Sequence, residues 1–289
     1  MTTIAVNGAT IAYELLGAGD STLAITAAGR VPGRAVLPLA LELAKDHRVL
    51  LWDRRNTGRS DVYFGDKLED EVWAADLVEL VNVLDLSPVC LLGGSGGART
   101  TLTVARDHPE VVSSMVLWWI TGGTFGLMTM GTRYGQSLIS AARCGGMPAV
   151  VALPELAELM TRPANRDYVL GFDTDTFVRN VERWMDAFVP RDGTPVPGLT
   201  DEELRAITIP TLIFEQYDEY HPLETAQRVH ELIPSSRLVK PPPGLGEGTF
   251  WQRTAAVAKD SAVDPLADFV HLAAPIHDFV ASSRTAPRA

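Results

Sequence analysis

The 289 residues carry 25 Lys and Arg against 36 Asp and Glu, a formal net charge of −11. With no block of basic residues, that balance argues against a nucleic-acid partner and against an anionic membrane surface. At 46% hydrophobic and 21% charged, the composition is that of an ordinary soluble globular chain with ample length for a large core.

Residues 3–6 and 10–15 flank Asn7-Gly8, a hairpin signal. Residues 23–26 read as a buried strand running into the loop Ala27-Ala28-Gly29-Arg30-Val31-Pro32-Gly33, and 35–45 have helical spacing. An apolar strand at 48–52 ends in Asp53 and the polar loop 54–61; 72–84 is an amphipathic helix. Val89 to Leu92 is a strand that ends in Gly93-Gly94-Ser95-Gly96-Gly97, and an amphipathic segment follows at 100–106. A Ser between glycines at −2 and +2, on a strand-to-helix turn, sits in strained backbone with its hydroxyl at the C-terminal edge of a sheet. The Gly96 N–H then lies at a helix N-terminus, where an oxyanion is stabilised.

The next strand is 114–120. Alternation then stops: 134–143, 154–160 and 176–188 read as helices with no strand between them. Strands resume at 211–215 and 237–240, with helices at 223–232 and 264–280. Apolar strands alternating with helices imply an α/β chain with a mostly parallel sheet covered on both faces, and ligands bind such sheets at the C-terminal strand ends. The expected organisation is a core of 1–120 and 207–289 with a helical cap at 121–206. Cys90 and Cys144 make no disulfide framework, and the first residues lack a basic segment followed by a long apolar one. Both features fit a reducing, cytoplasmic compartment. The longest apolar run, 115–120, is too short to span a bilayer.

With these residues in place, the chain resembles the α/β-hydrolase superfamily, in its prolyl-iminopeptidase and epoxide-hydrolase branch. Asp53-Arg54-Arg55-Asn56-Thr57-Gly58-Arg59-Ser60-Asp61 looks like the family's D-x-R-G-x-G-x-S segment, with Asn56 in place of Gly. Gly93 to Gly97 matches the nucleophile elbow, and Pro210-Thr211-Leu212-Ile213-Phe214 before Asp218 and Pro222 looks like the strand and loop that carry the acid. The resemblance implies Ser95 as nucleophile, Asp218 as acid, the N–H groups of Arg30 and Gly96 as oxyanion hole, and no cofactor or metal. The expected partner is a small-molecule substrate, with a homodimer left open. Gly29, Arg30, Trp119, Phe125, Tyr134 and His221 are expected to line its pocket.

Two positions depart from the family pattern. Ala28-Gly29 replaces His-Gly, and Gly246-Glu247 stands where the catalytic His follows a Gly after the last strand. A Glu is a weak base, but beside Asp218 in a covered site one of the two carboxylates rises in pKa. Glu247 is therefore expected to shuttle the proton. His221, three residues after Asp218, lies near the pocket mouth; His47, His108, His230, His271 and His277 fall away from it. Three readings stay open. One is a hydrolase of a bulky, mostly apolar ester, lactone or amide. The second is a lyase, cyclase or C–C bond enzyme in which Ser95 and the oxyanion donors only polarise a carbonyl, as in natural-product pathways. The third is an inactive ligand-binding module.

Overall fold

The computed structural model describes residues 1–243, 245 and 266–285. Eight strands form one sheet in the order β1-β2-β4-β3-β5-β6-β7-β8. β1 (Thr2–Val6) and β2 (Ala9–Leu16) are the hairpin. Asn7 and Gly8 take φ of 48° and 72°, the left-handed pair that a tight hairpin turn requires. β2 runs antiparallel to β4 (Arg48–Trp52). The remaining pairings, among β3 (Thr22–Thr26), β4, β5 (Val89–Gly94), β6 (Val112–Trp118), β7 (Thr211–Phe214) and β8 (Ser236–Val239), are parallel.

Helices α1 (Leu37–Leu43), α2 (Glu69–Val83) and α3 (Gly96–Asp107) connect the first parallel strands. Between β6 and β7 come α4 (Gly123–Val151), α5 (Pro163–Leu170), α6 (Thr174–Asp186) and α7 (Asp201–Ala206). Helix α8 (Leu223–Leu232) joins β7 to β8, and α9 (Ala273–Thr285) follows a 3-10 turn at Ala267–Leu272. Side chains alternate along each strand, so β5 sends Leu91 into one core layer with Leu77 of α2 and Leu102 of α3. Cys90 and Leu92 enter the opposite layer with Leu39 of α1 and Ile276 of α9. Burial there pushes the Cys90 thiol up to about 12, and it stays protonated as a small apolar filler.

The insertion has a core of its own, in which Leu138, Phe177, Val181 and Trp184 surround Phe64 from the loop after β4. Its first helix starts eleven residues before the expected 134. Glycines hid it: a Cβ at Gly126 would lie 2.8 Å from the Tyr220 carbonyl, and one at Gly135 would lie 2.4 Å from Met185. These residues are there for close approach, against their low helix propensity. The expected helix at 154–160 is instead two 3-10 turns, Pro154–Leu156 and Leu159–Thr161. Pro163 holds Arg162 at φ −85°, ψ 119° and so stops helix propagation. By length and composition alone, Gly123–Leu156 passes as a membrane span, unlike the shorter run considered from sequence. It is broken at Gly146 (φ 66°), and its Leu138–Ala142 face is buried inside the protein.

Tight contact also fixes the turn after β5. A Cβ at Gly97 would lie 2.1 Å from the Thr26 carbonyl, and one at Gly93 would lie 2.3 Å from the Gly97 carbonyl. Backbone cannot yield as a side-chain tip does. Gly97→Ala is expected to lower unfolding stability by about 3 kcal/mol or prevent folding, at the upper end of overpacking costs, as read by urea titration.

Candidate active site

β5 ends at Gly94 and α3 begins at Gly96, so Ser95 alone makes the turn. Its backbone sits at φ 52°, ψ −115°, a conformation that costs free energy for a residue with a side chain. Ser95 is buried at 7% exposure, and its Oγ meets two groups. The Thr121 hydroxyl, just past β6, is 3.2 Å away. His221 Nε2 is 3.0 Å away.

His221 is held from behind. Its Nδ1 lies 2.9 and 3.0 Å from the two Asp218 carboxylate oxygens. Asp218 Oδ1 also accepts the backbone N–H groups of Tyr220 and His221, both at 2.9 Å. The carboxylate thus closes its own turn, as Asp side chains do, and that closure swings the residue three places on over the acid. Trp119 lies on the imidazole, with ring centroids 5.4 Å apart and planes 13° from parallel. Its φ of 52° is unusual for so bulky a residue. That backbone turn lets Trp119 face the site, while Trp118 stays fully buried against Phe269.

Glu247, expected as the base beside Asp218, lies outside the described residues. The imidazole that meets Ser95 is that of His221, expected only at the pocket mouth. The signal for it was the spacing Asp218-x-x-His221 on a loop that leaves a strand end. The other histidines are elsewhere: His47 meets Ser21 and His277, His108 faces Glu110, and His230 meets Ser236. His271 and His277 line a separate cavity of about 410 Å³ beside Glu42 and Asp46.

A cavity of about 440 Å³ opens over Ser95 and His221. Gly29, Arg30, Trp119 and Tyr134 line it, together with Met130, Leu156 and Leu159 from the insertion. Phe125 does not: it is 54% exposed, outside the cavity, with its ring 5.9 Å from that of Tyr220. Its helix turn precedes the part of α4 that faces the site, so the aromatic pattern misled. The Arg30 side chain borders the cavity but is engaged, its guanidinium 2.6 Å from Glu69 and 3.2 Å from the Tyr134 carbonyl. It ties the loop after β3 to α2 and α4. Among the described residues, no acceptor takes the backbone N–H of Arg30 or of Gly96. The two segments abut: a Cβ at Gly96 would be 3.6 Å from Gly29 N and O.

A family model described as the alpha/beta hydrolase fold matches residues 34–120. Together with the sheet order above, that places the chain. It carries the α/β-hydrolase fold. This hydrolase-fold chain is 28% identical over 237 residues to the 2-hydroxy-6-oxo-2,4-heptadienoate hydrolase of Pseudomonas putida, covering 77% of this chain and 81% of that one. Solved structures carry the same fold end to end. An enol-lactonase from Burkholderia xenovorans aligns at TM-score 0.62 and 17% identity, over 97% of this chain and 100% of its own. A thermophilic esterase from Thermogutta terrifontis aligns at TM-score 0.64 and 18% identity, over 98% of both chains.

In this hydrolase-fold chain the Thr121 hydroxyl can donate to Ser95 Oγ once Ser95 donates to His221. Thr121→Val keeps the shape and removes that one neutral hydrogen bond. It is expected to slow fluorophosphonate labelling of Ser95 by roughly 2- to 10-fold, the rate equivalent of 0.5–1.5 kcal/mol, with an unchanged melting profile as the control.

Proposed function

We propose that this chain is a serine hydrolase that cleaves an ester, lactone or amide bond of a mostly apolar carbonyl substrate through an acyl-enzyme on Ser95. The observation that carries the reading is the contiguous line Ser95 Oγ, His221 Nε2, His221 Nδ1, Asp218 carboxylate, each link at 3.0 Å or less. Serine is a poor nucleophile until a base takes its proton. An ionised Asp218 accepts from Nδ1–H, which fixes the tautomer whose Nε2 lone pair faces Ser95. As Oγ bonds to the substrate carbon, its proton passes to Nε2 and the carbonyl electron pair becomes an oxyanion. The N–H groups of Arg30 and Gly96 are the donors proposed for it. The imidazolium then protonates the leaving group, and water repeats the sequence to release the acid.

Trp119 lies nearly parallel to the imidazole and restricts its rotation out of the line from Asp218 to Ser95. The cavity's size and its Met130, Leu156 and Leu159 wall support a compact apolar acyl group. The insertion from α4 to α7 acts as the cap that keeps bulk water from the acyl-enzyme. The name of the Pseudomonas putida relative, a hydrolase of a 2-hydroxy-6-oxo-dienoate, supports water as the final acceptor. The lyase and inactive-binder readings drew on the missing histidine after β8, and His221 removes that support. Incubation with a fluorophosphonate probe followed by peptide mass mapping is expected to place a single adduct on Ser95. An adduct elsewhere, or none, counts against the acyl-enzyme.

A further inference from the structure

One strongly charged group beside this site has no task in the steps above. Arg54 follows β4 and Asp53, and it is 2% exposed. Its Nη2 donates to the Gly29 carbonyl. Its guanidinium carbon stands 4.4 Å over the Trp73 ring. Its Nη1 is buried and makes no hydrogen bond. Burial lowers its pKa to about 10, opposed by the charges of Tyr134, Asp70 and Glu69 and reinforced by Arg99. It is still cationic at neutral pH. Among the described residues no carboxylate is hydrogen-bonded to Arg54; Asp70, whose charge reaches it, pairs with Arg99 at 3.0 Å. A buried cation without such a partner is expensive, and a fold keeps one where negative charge has to be met.

The surroundings say where that charge arises. An ideal Cβ on Gly96 would stand 3.1 Å from Arg54 Nη1, with Gly29 N and O next at 3.6 Å. The guanidinium therefore fills the space that a side chain on the residue after Ser95 would take. It abuts both backbone segments whose N–H groups are unclaimed. The peptide from Gly29 to Arg30 is trans, so its C=O and N–H point opposite ways. Anchoring the Gly29 carbonyl on Arg54 aims the Arg30 N–H away from the guanidinium, toward the cavity side. A donor to that carbonyl also polarises the peptide and strengthens its N–H as a donor in turn.

We propose that Arg54 is a positioning residue of the oxyanion hole: it clamps the Gly29–Arg30 peptide and sets a fixed positive charge behind the hole, in space left by the absent side chain of Gly96. This rests on the acyl-enzyme reading and adds to it. A hole backed by full charge favours substrates whose attacked carbonyl oxygen takes on a full negative charge, such as esters and lactones.

The test uses p-nitrophenyl butyrate turnover, with circular dichroism melts as a folding control. Arg54→Met is expected to lower kcat by roughly 10- to 100-fold, the usual effect of losing a group that orients a primary one, with KM within about threefold. Arg54→Lys should recover part of kcat. Affinity for a short alkyl boronic acid, whose adduct on Ser95 is a tetrahedral anion, should fall in step with kcat/KM. Gly96→Ala keeps the N–H but crowds the guanidinium. It should slow the wild type and add nothing in the Arg54→Met background, a coupling that independent effects do not give. If Arg54→Met does not fold, Arg54→Lys and Gly96→Ala carry the same comparison. Wild-type kcat and boronate affinity in Arg54→Met, a loss confined to KM, or additive Gly96→Ala and Arg54→Met effects would each overturn the proposal while Ser95 still reacts with fluorophosphonate. Full turnover by Ser95→Ala overturns the acyl-enzyme reading and this inference with it.

Discussion

Ser95→Ala is expected to lose fluorophosphonate labelling completely and to lower ester turnover by roughly 10⁴- to 10⁶-fold, the range found when a member of such a set is removed. The effect is this large because no neighbour can substitute. Thr121 presents the nearest hydroxyl, 3.2 Å from Ser95 Oγ, but His221 Nε2 is directed at Ser95. Residual rate would come from the oxyanion donors and the apolar cavity alone. Turnover and labelling should be measured on the same preparation, with folding checked by the melt. If turnover survived in Ser95→Ala, the hydroxyl would have been at most a carbonyl polariser. The lyase or cyclase reading would then regain its place.

The second large effect falls on the turn that carries acid and base together. His221→Ala should cost about as much as Ser95→Ala, since a serine without its base is barely nucleophilic. Asp218→Asn is the sharper test. An amide facing Nδ1 presents N–H where the carboxylate presented a lone pair, so the ring adopts the tautomer with the proton on Nε2. That proton then points at Ser95 Oγ, and the base is gone with the geometry intact. A fall of about 10⁴-fold in kcat is expected. Glu247→Gln in the same assay should change kcat by only a few fold. The reverse pattern, with Glu247→Gln crippled and His221→Ala active, would return the proton to Glu247.

Much of the fold could be read from local pattern, because local physics decides it. Asn7-Gly8 can hardly be anything but a tight turn, and the apolar runs at β3, β5 and β6 are too short and too branched for anything but buried strands. Gly93 and Gly97 stand at −2 and +2 for a steric reason, since a Cβ added at either would collide with a backbone carbonyl. What stayed hidden depends on distant neighbours. The start of α4 is glycine-rich because Tyr220 and Met185 press against it, which no window of sequence contains. Composition points Phe125 at the pocket, but its turn of helix faces outward. His221 does not stand out in the sequence, because a lone histidine is more often a satisfied polar residue. Its position follows only from the way the Asp218 carboxylate collects the two N–H groups that follow it. Arginines are solvated by default, and the burial of Arg54 depends on β4, α2 and the loop after β3 meeting.

The family pattern that the sequence resembles draws acid and base from loops after two different strands, so such a relay exists only when two loops keep their mutual alignment. In the relay proposed for this chain both come from four consecutive residues, and the distance between them is set by one turn's backbone. An insertion or a shift in the segments after β8 then leaves the relay's spacing untouched. A single residue added between Asp218 and His221 destroys it. For a lineage of such chains, the four-residue turn is then a stretch in which no change of length can be inherited without loss of the proposed relay.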